Sequence, residues 1–444
     1  MSFCPQLRRP LPKGTAYLSL MAAPCLNDFT ILRGLGDGSS STVHLVREND
    51  TGGLYALKAI PKRRPTGREI GIESVMTERN TLLDLRGDDF ILQLRACFHD
   101  SRNYYFVTEY HPAGDLHTLL LTKGSPRHVV RFYMAELLIA LERTHAKRIV
   151  HRDVKPENLF MDIDGHIVLG DFGIARKLRP GEITIPCDDM FGTPAYTAPE
   201  MFTGEPYGRE VDLWAFGVML YELITGNEAF KSNTVPQSDP DWLAHLARNI
   251  LHDELEDSPF LTPDAADLVR KLLRKRPKTR LININEIKRH AFFEGLDWRA
   301  LSSRSLPPPW IPCIEPGDVV GRKYPVLIPG LPYDPKCDPE QDFSFCFSPV
   351  ALTPTCQRHQ RLFNSLGCAL PTVVTWVEGG APALGLSSSS SCTSLESYVE
   401  IADAEGCHPV ALYGPSGRRK HLQPLTRWAT CLFGRRTDAT RFPT

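Results

Sequence analysis

Along this chain of 444 residues, apolar positions shift between the two-residue period of strands and the 3.6-residue period of helices. Residues 29–35 and 42–47 are β-rich runs that flank a loop of Gly36, Asp37, Gly38 and three serines, and residues 49–53 supply the next turn. Alternation resumes in YALKAI, predicting a strand that carries Lys58, and again in YYFVTEY at 104–110. TERNTLL reads as helix: Glu78 shares a face with Leu82, four positions on, whereas Glu69 and Glu73 point elsewhere. Residues 126–150 have apolar positions at helical spacing and predict a long core helix with no chemistry of its own. It runs into 151–173, where short strands surround a turn near Asp164 and Gly165. Residues 231–262 combine a loop with an amphipathic helix.

Composition narrows the class. The chain is 42% hydrophobic and 23% charged, as soluble globular proteins are, and its length suits two or three structural units. A net charge of −1 gives no reason to expect nucleic acid or membrane as a bulk partner. Twelve cysteines are scattered without a C-x-x-C pair, so neither a metal site nor a disulfide framework is expected. No apolar run approaches the roughly 18 residues of a membrane span. Residues 1–28 carry Arg8, Arg9 and Lys13 but no secretory signal pattern. They read as a loose leader, and a reducing compartment, cytoplasmic or nuclear, is expected.

The chemistry concentrates in HRDVKPENLFMDIDGHIVLGDFG, residues 151–173. Asp153, Lys155 and Asn158 lie within six residues, and Asp171 follows the turn. Phosphoryl transfer calls for this set: a carboxylate for the hydroxyl proton, a cation for the moving phosphoryl group, and hard oxygen ligands for Mg²⁺. The segment resembles the catalytic loop H-R-D-L-x-x-x-N and the D-F-G of protein kinases, with Val154 in place of Leu. GTPAYTAPE at 192–200 resembles the peptide-seating segment of serine/threonine kinases, and HAFFEGLDWRAL at 290–301 the close of the domain in the AGC group. The chain therefore resembles a eukaryotic protein serine/threonine kinase of AGC type.

That resemblance implies an α+β fold: the bilobal protein kinase fold, a small β-rich lobe with helix C and a larger, mainly α-helical lobe. It places the leader at 1–28, the catalytic domain at 29–293 and an AGC-like tail at 294–354. A low-complexity extension, expected to be disordered, takes 355–444. It implies ATP and Mg²⁺ as cofactors. Asp153 would accept the substrate hydroxyl proton, Lys155 meet the γ-phosphate, and Asn158 and Asp171 hold Mg²⁺. Lys58, paired with Glu78, would hold the α- and β-phosphates. The motif G-x-G-x-x-G-x-V aligns with Gly36, Gly38, Ser41 and Val43, so a serine stands at the third glycine and a weaker phosphate clamp is expected. Leu35 and Ala56 join the nucleotide site. Thr108 is the small gatekeeper, the Glu109 carbonyl and His111 N–H meet adenine, and Asp115 sits at the ribose rim.

Protein substrates are the implied partners. Asp115, Glu157 and Glu222 fall where basophilic relatives hold arginines, Thr193 in the substrate-seating loop, and Met190, Pro194 and Thr197 around an apolar pocket. Asp189 stands where most AGC kinases phosphorylate a threonine, with Arg152 and Arg176 as its docking residues. Asp212 would support the catalytic-loop backbone, and Arg280 pair with Glu200. In the tail, Phe343 and Phe347 would touch the nucleotide rim and Thr353 be a phosphosite. The group's later hydrophobic motif is not recognisable, which puts control through the helix-C pocket in question. A pseudokinase scaffold is the alternative, supported only by Ser41 and that missing motif. A monomer is expected, with regulatory partners reached through the tail.

Overall fold

Alternating β-branched and aromatic residues build the first half of the small lobe: β1 (Phe29–Asp37), β2 (Thr42–Glu48) and β3 (Leu54–Pro61), an antiparallel meander. After α1 (Ile72–Asp84) come β4 (Leu94–His99) and β5 (Asn103–Glu109). In register, Val43 faces Lys58, Ala56 faces Thr108 and Lys58 faces Phe106. Period-2 alternation sorts side chains between two apolar layers. Tyr55, Leu57, Phe98 and Tyr105 pack on one side, and Tyr104, Phe106 and Cys97 pack with Val75 and Leu82 of α1 on the other. The computed structural model describes residues 24–38, 41–63, 70–187, 192–231, 236–316, 327–333, 338, 340, 343–346 and 371–378. All of them belong to the first of two compact units, 1–380; the second, 381–444, lies outside the described residues. Asp189, Met190, Phe347 and Thr353 also lie outside them.

The large lobe begins with α2 (Leu116–Lys123) and α3 (Arg127–Ala146), the latter apolar on nearly every side and buried accordingly. Four short strands carry the chemistry: β6 (Ile149–Val150), β7 (Leu159–Met161), β8 (Ile167–Leu169) and β9 (Arg176–Lys177). They pair β7 with β8 and β6 with β9. Gly165 makes the β7–β8 turn with φ of 84°, the left-handed region that favours glycine. Then follow α4 (Pro199–Phe202), α5 (Glu210–Thr225), α6 (Trp242–His252), α7 (Pro263–Leu272), α8 (Ile284–Lys288) and α9 (Trp298–Ser302). The amphipathic helix expected within 231–262 is α6, which buries Leu246 and Ile250. Gly217 lets α5 approach α7; a Cβ there would fall 2.8 Å from the Leu272 Cβ. Arg280 grips Glu200 at 2.6 and 2.8 Å, both side chains out of solvent.

Three tail strands complete the described chain: β10 (Trp310–Pro316), β11 (Phe345–Cys346) and β12 (Pro371–Glu378). β11 adds to the small-lobe sheet, giving the order β1-β2-β3-β5-β4-β11, and β12 pairs antiparallel with β10. β12 lies inside the stretch expected to be irregular; PTVVTWVE is rich in β-branched residues, and β10 supplies its ladder. Phe343 departs from its expected place at the nucleotide rim. The glycine turn joins β1 and β2, whereas Phe343 lies at the other edge of the sheet. It is 1% exposed, its ring set edge-on against Tyr104 (5.2 Å) and Phe106 (5.7 Å) and beside His99. The helix-C side of the sheet is therefore covered by the tail, through a segment read from sequence as something else.

Candidate active site

The catalytic loop is hung from the core of the large lobe. Asp212, near the start of α5, accepts the His151 N–H on Oδ2 (2.9 Å) and the Arg152 N–H on Oδ1 (2.8 Å), and His145 Nε2 lies 2.8 Å from Oδ2. Burial works against the Asp212 charge, but these donors outweigh it and hold the carboxyl below its ordinary range. His151 Nε2 donates to Gly170 O at 3.0 Å, joining the loop to the residue before Asp171. Arg152 (φ 71°) and Asp171 (φ 55°) both have left-handed backbones, rare for such residues.

This scaffold gathers four polar groups around Asp153. Oδ1 accepts from Thr193 N (2.9 Å) and Thr193 Oγ1 (2.8 Å). Oδ2 lies 2.8 Å from Lys155 Nζ and accepts from Asn158 Nδ2 at 3.1 Å. Lys155 Nζ also donates to Thr193 Oγ1 at 2.8 Å. Asn158 Nδ2 donates to Asp153 O as well, which fixes the amide and leaves Oδ1 as the atom to meet a cation.

On the small-lobe side, Lys58 Nζ lies 2.7 Å from Glu78 Oε1 and 2.9 Å from Asp171 Oδ1. Burial disfavours the Lys58 charge, but Asp171 and Glu78 more than offset it and raise the ammonium above its usual range. The same contact draws Asp171 down to about 2, while burial raises Glu78 despite its partner. Asp171 is ionised at any physiological pH, with its side chain 44% exposed.

Gly36 has open space where a Cβ would stand, and Gly38 N donates to Ser41 O at 2.8 Å, closing the tip of the loop without a third glycine. Ala56 and Thr108 are paired on β3 and β5, and Val43 on β2 faces Lys58. The Glu109 N–H donates to Gln93 O at 3.2 Å, and its carbonyl accepts from Thr108 Oγ1 at 3.4 Å. Leu35 packs against Leu45, Leu54 and Tyr110. His111 stacks on Phe160 (5.9 Å, 13°), and the Phe160 ring occupies the space over Gly170, where a Cβ would fall 2.6 Å from it.

The sequence pattern described as "Protein kinase domain" matches residues 29–293. The chain belongs to this family. It is 35% identical over 326 residues to a RAC family serine/threonine-protein kinase homolog of Dictyostelium discoideum, covering 72% of this chain and 70% of that protein. Against cAMP-dependent protein kinase type 3 of Saccharomyces cerevisiae it is 38% identical over 298 residues, 66% of this chain and 71% of the other. Protein kinase C zeta type of Oryctolagus cuniculus is 34% identical over 313 residues, 69% of this chain and 52% of its own. The enzyme is a serine/threonine protein kinase of AGC type, and ATP with Mg²⁺ is what its family uses.

Around the peptide side the kinase separates the three expected acids. Glu222 accepts from Tyr196 Oη at 2.7 Å, and burial pushes its carboxyl up to about 8. Glu157 is exposed, and it and Glu228 both act electrostatically on Tyr196 and Glu222. Asp115 is engaged elsewhere: its carboxylate caps α2, accepting from Thr118 N (2.8 Å) and Thr118 Oγ1 (3.2 Å). Arg176 lies on β9 opposite Val150, and Arg152 donates to Ile174 O and Tyr207 Oη. Pro194 and Thr197 are buried in the seating loop. Sequence reasoning passed over Phe160, Glu228 and Tyr207. The first two had local signals, an aromatic beside the Asn158 motif and an acid six residues past Glu222; Tyr207 had none.

Proposed function

We propose that this kinase uses Asp153 to orient the serine or threonine hydroxyl of a protein substrate and to accept its proton during transfer of the ATP γ-phosphate. The observation that carries this reading is the Asp153 carboxylate, fixed on both oxygens by Thr193, Asn158 and Lys155. A base so positioned loses little on reaction, because its orientation is set beforehand. Lys155, bridging Asp153 and Thr193, brings a positive charge to the place where the phosphoryl group arrives. Asn158 Oδ1 and the Asp171 carboxylate fit Mg²⁺: both are hard oxygens, and their own neighbours fix them. Bound there, Mg²⁺ would neutralise phosphate charge. Lys58, held by Glu78, takes the α- and β-phosphates over the open glycine turn, and Phe160 with His111 gives adenine a flat floor.

The kinase prefers basic residues before the target. Glu222, Glu157 and Glu228 surround Tyr196 beside the seating loop, and guanidinium binds carboxylates through paired, charge-assisted hydrogen bonds. Asp115 has the weakest claim, since its oxygens hold α2. A degenerate peptide array tests the reading. Selection of arginine at the two or three positions before the target, lost in Glu222→Gln, is expected; selection of acidic or proline-directed peptides would refute it.

A further inference from the structure

Phe160 is the middle residue of β7, between Leu159 and Met161, which are both fully buried in the core. Strand alternation turns its ring to the other face, where it stays partly exposed. The ring stacks on His111 at 5.9 Å and 13°. It also covers Gly170, the residue before Asp171. A Cβ on Gly170 would fall 2.6 Å from Phe160 Cε2, 3.0 Å from its Cδ2 and 3.1 Å from Leu92 Cδ2. Gly170 is not among the glycines with a left-handed backbone, so conformational freedom does not explain it. What the missing side chain supplies is space for the ring.

Both backbones are held where they are. Gly170 N donates to Asn158 O at 2.9 Å, and its carbonyl lies 3.0 Å from His151 Nε2. Phe160 pairs with Val168 across β7 and β8 and is bridged to Asp115, and Met161 N donates to Gly114 O at 2.8 Å. A methyl at position 170 is therefore accommodated by the ring, which has to move by about 1 Å to regain ordinary carbon–carbon contact. Leu92 stands against the same methyl, and Leu159 and Met161 fill the core face of the strand. The side left open to the ring is the one that the reading above gives to adenine. Aromatic rings gain from offset stacking, and a fused purine covers more of a phenyl ring than a pyrimidine does.

We propose that Gly170 is a positioning residue for Phe160, keeping the ring at the level where a purine can stack on it, and that the two act as a matched pair in setting which bases the site accepts. The inference rests on the reading of Phe160 as a floor for adenine. Binding of Mg·ADP needs no phosphoryl transfer, so the pair is judged apart from the catalytic assignment.

The test uses the full chain as wild type, Gly170→Ala, Phe160→Leu and the double variant. Calorimetry reads the binding of Mg·ADP and Mg·CDP, and urea unfolding without nucleotide checks the fold. Gly170→Ala weakens Mg·ADP by about ten- to a hundredfold, because the methyl drives the ring into the base. Phe160→Leu weakens it by about three- to tenfold and narrows the preference for Mg·ADP over Mg·CDP. Leucine leaves room for the methyl, so the double variant binds within about twofold of Phe160→Leu alone. KM for a basic peptide moves by less than about twofold throughout. Losses that multiply in full in the double variant would overturn the proposal and place the effect of Gly170→Ala on Asp171 instead. So would a Gly170→Ala that binds Mg·ADP like wild type, an unfolding midpoint that falls with Gly170→Ala and does not recover in the double variant, or a base preference untouched by Phe160→Leu. A wild type that binds neither nucleotide would refute the floor itself, whereas one that binds Mg·ADP without coupling between the two positions would refute only the pair.

Discussion

Replacing Phe343 by alanine measures what the tail contributes to the nucleotide side of the site. The ring is 1% exposed and makes edge-on contacts with Tyr104 at 5.2 Å and Phe106 at 5.7 Å. Truncating so buried a phenylalanine costs about 3–5 kcal/mol where the site cannot collapse. The other anchors of this part of the tail are polar. Glu340 meets Lys62 at 2.8 Å and Tyr104 Oη at 2.7 Å, Asp338 meets His99 at 3.0 Å, and β11 pairs over two residues with β4. Both ion pairs are largely out of solvent, with His99 fully buried, but Phe343 is what seats the segment in the apolar cluster, and its loss loosens the segment. Phe343 shares one apolar cluster with Val75 and Leu82 of α1, the helix that carries Glu78. Phe343→Ala should therefore quicken amide exchange in β4 and α1, raise KM for ATP severalfold and lower kcat. Glu340→Gln should do much less. If Phe343→Ala left exchange at Ala96 and Cys97 and the ATP constants unchanged, the tail would be ornament on the sheet and the reasoning wrong.

Three further outcomes are expected. Asp171→Asn removes a carboxylate held near a pKa of about 2 and should cut kcat at least about a hundredfold at all usable pH, with circular dichroism unchanged. Arg280→Ala strands the buried Glu200 carboxylate and should cost about 3–5 kcal/mol in urea unfolding, largely recovered by the apolar pair Arg280→Met with Glu200→Leu. Glu222 has its folded pKa raised from 4.5 to about 8, so its protonated form is favoured by folding; that contribution is complete below pH 4.5 and is lost as pH rises through 8. A guanidinium needs the ionised form, so KM for an arginine peptide should fall as pH rises toward 8, and Glu222→Gln should flatten both the KM and the stability profiles; a KM independent of pH in wild type would refute this.

What could be read from sequence was whatever is local or fixed by motif. Strands β1 to β3 follow from alternation and glycine turns, and α6 from its apolar stripe. The cluster of Asp153, Lys155 and Asn158 follows from six residues in a row. The placement of Phe343 does not, because FSFCF has strand period but names no partner, and β4 lies far back in the chain. Asp115 reads from sequence as a residue for the ribose rim and for substrate arginine, although an acid directly before a helix is also an N-cap signal, and here its carboxylate caps α2. The Arg152–Tyr207 bond spans 55 residues and joins two residue types that usually serve elsewhere. Long-range polar contacts of this kind have no period to betray them.

The site rests on two left-handed residues, each fixed by its own polar neighbours. Left-handed backbone at Arg152 and Asp171 costs on the order of 1–3 kcal/mol at each position and persists only where neighbours over-determine it. For Arg152 those neighbours are Asp212, Tyr207 and Gly192, all in the large lobe. For Asp171 the Lys58 contact is decisive, and Lys58 depends on Glu78, on α1, and so on the cluster that Phe343 completes. Disturbing Tyr207 should then move peptide constants, and disturbing Phe343 should move ATP constants. The two variants should combine additively in ΔΔG, having no hydrogen-bond or ring partner in common among the described residues. Strong coupling between them would mean that Asp171 transmits strain across the cleft and that the halves form one switch.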